Sequence, residues 1–103
     1  MKTLARIIQD VRDATAAHPS ESSPNFDALE ATWCTRMQKA EVALARFAPR
    51  TAEEFAAKVT AILRDTDAKC AFSLSPATKV WRSTLLSDVE RLFARPVLTE
   101  KAA

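Results

Sequence analysis

The sequence predicts an all-α protein: four helices in a bundle-like single domain, organised on a long central helix at about residues 24–48. Three observations lead there. Between Phe26 and Phe47 the apolar residues Phe26, Leu29, Trp33, Met37, Ala40, Leu44 and Phe47 recur at gaps of three and four, the period of one helical face. Ser–Pro and Thr-x-x-Glu signals divide the rest of the chain into further helical stretches. No run of residues alternates as a strand does.

The long helix has Thr35, Gln38, Lys39 and Arg46 opposite its stripe. Six turns, about 35 Å, is too long to stand alone in water, and its apolar face is too one-sided for a membrane span. The first helix is expected from about Thr3 to Ala17, with Thr3 as cap and Leu4, Ile7, Ile8, Val11 and Ala14 inward. His18-Pro19 ends it, because the residue before proline is pushed out of the helical region. Ser23-Pro24 reads as the start of the long helix, serine capping and proline at the first helical position. Pro49 ends it, and the connection is so short that the next helix must fold back alongside.

Thr51-Ala52-Glu53-Glu54 is a capping box. The third helix is expected to turn Phe55, Ala56, Val59, Ile62 and Leu63 inward, with Glu54 and Lys58 paired on its flank. Past Asp65 the pattern is ambiguous: the helix either continues to about Ala71 or breaks near Asp67. Ser75-Pro76 starts the last helix, expected to reach about Ala94 with Trp81, Leu85, Val89, Leu92 and Phe93 inward. Pro96 stops it, so residues 1–95 form the domain and 96–103 a frayed tail.

Composition excludes more than it assigns. The chain has 103 residues and no glycine. Phosphate loops, dinucleotide fingerprints and nucleophile elbows need glycine for close backbone approach or positive φ, so none is present in its usual form. About a fifth of the chain is alanine, so the 48% hydrophobic fraction overstates the core. Fifteen basic against thirteen acidic residues leave a net charge of +2, short of the basic excess of most nucleic-acid modules. Two distant cysteines and one histidine suggest no metal cage, and no cofactor is expected. The opening Met1–Ile8 is too short and interrupted an apolar run for a signal peptide. A cytoplasmic protein with reduced thiols is the expectation.

The reactive side chains have ordinary explanations. His18 with Cys34 would make a catalytic pair only with a thiolate-stabilising setting and a third, orienting group. A histidine at a helix end satisfying the last carbonyls, and cysteines 34 and 70 packed as small hydrophobes, account for the same residues. Arg82 intrudes on the inward sector of the last helix, beside Leu86. Either its stem covers the core edge or this edge faces a partner. Val42, opposite the stripe of the long helix, hints at the same. Arg82, Leu86 and Val42 are therefore the expected partner contacts. A helix-turn-helix reading of 51–94 is disfavoured by the connection and by Asp88 and Glu90 on the exposed face, which would repel phosphates.

The Trp-bearing helix, the Pro then Thr-x-x-Glu turn with Phe55-Ala56-Ala57-Lys58, and the closing Arg82–Leu92 stretch resemble a group of small uncharacterised bacterial proteins. That group is all-helical, of similar length, and some members are associated with prophage or mobile elements. The resemblance covers residues 26–93 and implies helices and cytoplasm, but no chemistry. The expected function is a non-catalytic interaction or accessory module, not an enzyme. It would bind a protein partner or itself, preferably through the long helix. The alternative is a nucleic-acid accessory protein using the basic residues of the last helix.

Overall fold

The computed structural model describes residues 2–66 and 75–94. Four α-helices account for most of them: α1 (Leu4–Ala16), α2 (Phe26–Arg46), α3 (Ala52–Asp65) and α4 (Pro76–Val89). A π-helical turn, Glu90–Ala94, continues α4. No strand occurs among the described residues.

Three of the four helix starts follow from local capping chemistry. The Thr3 hydroxyl accepts from the Arg6 N–H, Thr51 from Glu54, and Ser75 from Thr78, each cap residue being extended. At the start of α3 the Glu54 carboxylate reaches back to the Arg50 N–H at 2.8 Å, closing a box one residue wider than the reciprocal form. Replacing Thr51 by alanine is expected to cost about 1 kcal/mol, read from the midpoint of urea unfolding. The fourth start differs from the expectation. Ser23 and Pro24 lie in turns, and α2 begins at Phe26 behind Asn25, whose side chain makes no capping bond. Ser23 O instead accepts from the Phe26 N–H, so the Ser-Pro pair closes a turn before the helix.

Among the described residues, helix ends are made without any positive-φ residue. Phe47 (φ −56°, ψ 129°) and Thr66 (φ −129°, ψ 176°) turn the chain out of α2 and α3 by going extended. The third helix therefore ends at Asp65, and the remainder of the ambiguous stretch, with Cys70, lies outside the described residues. The expected tail at 96–103 and its Pro96 stop lie outside them too.

Cross-helix contacts set an up-and-down order. Trp33 Nε1 donates to Ala14 O at 2.6 Å, while Lys2, Thr3 and Leu4 line a depression with Phe47, so α1 and α2 are antiparallel. Arg12 meets Asp65, and Leu4 shares a depression with Glu53 and Glu54, so α3 runs parallel to α1. The Thr84 hydroxyl donates to Ala45 O, while Pro76 shares a depression with Thr35 and Gln38, so α4 runs beside α2 in the same direction. The main interfaces are α2 with α4 and α2 with α1. The core is Leu4, Ile7, Val11, Leu44, Ala61 and Ile62, with Ile8, Ala40, Phe47 and Trp81 packed against it.

Two stripes are placed differently from the periodic reading. In α2 every fully buried residue lies at Glu41 or beyond, and Phe26, Trp33 and Met37 are half-buried with Leu29 exposed. In α3 the buried residues are Lys58, Ala61 and Ile62, whereas Phe55 and Val59 are half-buried and Ala56 and Leu63 exposed. The helix is rolled so that Lys58, not Phe55, faces the middle of the bundle. Phe93 is likewise exposed rather than inward.

Candidate interaction interface

The roll of α3 is explained by one polar network. Lys58 is fully buried, and its Nζ donates to Asp88 Oδ2 and to Phe47 O, both at 2.7 Å. Asp88, 3% exposed, accepts a further bond on Oδ1 from Arg91 Nη2 at 3.1 Å, and the same nitrogen donates to Pro49 O at 2.7 Å. Burying an ion pair is tolerable only where such extra bonds satisfy the remaining donors and lone pairs. Two expectations are corrected here. Lys58 does not pair with Glu54 on an exposed flank, and Asp88 does not lie on the exposed face of the last helix. Asp88 stands seven residues after Trp81 and four before Leu92, inside the apolar arc, and that spacing was its signal in the sequence.

The π-helical turn carries Arg91 and Phe93 to the same end of the bundle. Arg91 bonds to Asp88 and Pro49, and the Phe93 ring stacks edge-on against Phe55 at 5.4 Å. The stacking and the Lys58–Asp88 bond together show that α3 and α4 run in opposite directions. Both helices also carry apolar side chains that the core does not fully cover: Phe55, Val59 and Leu63 on α3, and Leu86, Val89 and Phe93 on α4 and its extension. Leu63 (43%), Leu86 (64%) and Phe93 (39%) remain exposed. Leu29 on α2 is the other large hydrophobic side chain in that condition among the described residues.

Of the expected partner contacts, Leu86 is the most exposed large apolar side chain described, and Arg82 is exposed one turn before it. Val42 lies apart from them. It is half-buried in a depression between α2 and the start of α4, with Thr35, Gln38, Lys39, Ala43, Arg46 and Pro76.

His18 and Cys34 are not brought together as a catalytic pair. The His18 ring stands edge-on to Trp33 at 4.6 Å and to Phe26 at 6.0 Å, and its Nε2 lies 3.6 Å from Glu30 Oε2. It locks the end of α1 onto the start of α2. Cys34 is an exposed free thiol rather than a packed one, since α2 turns it away from α1. Among the described residues no group of three or more His, Cys, Asp and Glu side chains could hold a metal ion, and no helix is long and apolar enough to cross a membrane.

A second feature escaped the periodic reading. Between α1 and α2 lies a cleft of about 270 Å³ lined by Lys2, Asp10, Arg36 and Lys39 over a floor of Ile7, Ala14, Ala40 and Ala43. Asp10 Oδ2 accepts from Lys2 Nζ at 2.8 Å, and its Oδ1 lies 3.1 Å from Arg6 Nε. The Lys2 hydrogen bond holds the Asp10 carboxyl below the usual carboxylate range; burial opposes it, and the charges of Lys2, Arg6 and Arg36 add to the lowering. No protein family, curated protein or solved structure matches this chain.

Proposed function

We propose that the protein is a non-catalytic helical interaction module that associates with a second copy of itself through the flank of α4 centred on Leu86. The observation that carries this reading is Leu86, 64% exposed and the most exposed large apolar side chain described, with a charged residue of each sign one turn to either side. An exposed leucine is ordinary by itself; it is the charges framing this one that give the flank the form of an interaction site.

The charges around Leu86 favour a second copy as the occupant. Arg82 and Glu90 stand four residues to either side of it, on opposite edges of the same flank. Two α4 helices crossing antiparallel about Leu86 place each Arg82 against the other copy's Glu90. That reciprocity is what a two-fold, self-complementary contact requires. The uncovered start of α2 supplies a poorer surface, because Leu29 is its one exposed large apolar residue and Trp33 is held by Ala14.

Light scattering on a gel-filtration peak tests the reading. Twice the 11.4 kDa chain mass is expected at high protein concentration, and Leu86→Glu is expected to return the chain mass with the helical spectrum unchanged. A strict monomer throughout would overturn it. Nucleic-acid binding by the last helix has less support, because Arg91 is tied to Asp88 and Pro49.

A further inference from the structure

The solvent face of α2 forms a different kind of surface. Ala28, Thr32, Thr35, Arg36, Lys39, Val42, Ala43 and Arg46 share one side of this helix at helical spacing, and none is acidic. The acidic residues of α2, Asp27, Glu30 and Glu41, fall on the other sides. Arg36, Lys39 and Arg46 are exposed, and no ion pair among the described residues engages Lys39 or Arg46. Arg36 and Arg46 are ten residues apart, about 15 Å along the axis.

This face is also hollowed. The cleft against α1 holds Lys2, Arg36 and Lys39. A second depression is lined by Thr32, Thr35, Arg36 and Lys39, and a third, against α4, by Val42, Ala43, Arg46 and Pro76 together with Lys39. Lys39 borders all three, so they form one track across the helix. Their floors are small and apolar: Ala14, Ala40 and Ala43 on one side, Val42, Ala43 and Pro76 on the other.

Within the cleft the protein supplies a worked example of what the track recognises. The Asp10 carboxylate is already gathered in by Lys2 and Arg6, with Arg36 nearby, so the cations outnumber the carboxylates around it. A further carboxylate entering at Arg36 and Lys39 meets an excess of positive charge.

We infer that the α2 track, from the Lys2–Arg36 cleft to Arg46, docks an acidic amphipathic segment of another protein. Its carboxylates would sit on Arg36, Lys39 and Arg46 and its apolar side chains in the alanine- and valine-floored hollows. Nucleic acid fits less well. The face offers no aromatic ring on which a base could stack, and a duplex presents only phosphates to its apolar floors. This surface lies on a different helix from the Leu86 flank and does not depend on self-association.

The test is fluorescence anisotropy with a labelled 16-residue helical peptide of glutamate, leucine and alanine, run beside its lysine-for-glutamate counterpart and a 16-base-pair duplex DNA. Saturable binding of the acidic peptide alone is expected, weakened at least tenfold in Arg36→Glu/Lys39→Glu and reduced by added salt. Both substituted side chains are exposed, and an unchanged helical spectrum checks that the variant is folded. Failure of the acidic peptide to bind, equal binding by the double variant, or tighter binding of the duplex would each overturn the inference. Leu86→Glu is expected to leave peptide binding intact, so the two surfaces stand or fall separately.

Discussion

Asp88→Ala is expected to lower stability by about 3–5 kcal/mol, because it leaves the Lys58 ammonium buried without its counter-charge. For a domain whose total stability is of order 5–15 kcal/mol that is a large share, and the thermal midpoint should fall by about 15 °C or more. Lys58 Nζ would keep Phe47 O as a partner, but a neutral carbonyl does not compensate a desolvated charge. Melting followed by circular dichroism at 222 nm reads the loss. The double replacement Lys58→Met/Asp88→Leu removes both charges and keeps most of the volume. It should recover most of the loss, since apolar substitutes for buried ion pairs are often neutral or better. If Asp88→Ala melts like the parent, the pair is not buried as described.

Leu44→Ala is expected to cost about 3 kcal/mol. Leu44 is fully buried where α2 meets the rest of the core, and its truncation leaves a cavity that the helices around it close only in part. The useful contrast is Leu86→Ala, which removes the same atoms from a side chain that is mostly in water and should stay within about 0.5 kcal/mol at concentrations where the chain is monomeric. Chemical denaturation of the two variants separates a core leucine from a surface one. Equal losses would contradict the burial pattern on which the Leu86 surface is defined.

How much of this was legible depended on whether the cause was local. Thr3, Thr51 and Ser75 cap their helices as their immediate neighbours require, and the turn after Pro49 follows from two residues. The stripe of α1 was legible for the same reason: Leu4, Ile7, Val11 and Ala14 have no competitor on that helix for the inward side. On α3 the periodic reading turned Phe55, Ala56, Val59, Ile62 and Leu63 inward, and of these Ile62 is buried. The bundle instead buries the face holding Lys58, because an ammonium satisfied by Asp88 and Phe47 O can occupy the core. That outcome depends on a partner thirty residues away, and nothing near Lys58 announces it. Asp88 was more readable, since it stands in the apolar arc of its own helix. The ordinary prior that carboxylates face water outweighed the spacing. The cationic track of α2 was visible only in halves: Lys39 and Arg46 were seen opposite the stripe, but Lys2 and Asp10 join Arg36 only through the antiparallel packing of α1.

The corner between α2 and α3 has a consequence for how the chain acquires its shape. Its carbonyls at Phe47 and Pro49 are claimed by Lys58 and Arg91, eleven and forty-two positions downstream. A chain with glycine at that bend could finish the corner by itself, as soon as the residues were synthesised. Here the half of the clasp at Pro49 closes only when Arg91 arrives, so that carbonyl is satisfied together with the far end of the molecule. A fragment stopping short of Arg91 therefore keeps the Lys58 bond to Phe47 O but leaves the Pro49 carbonyl without its fastening.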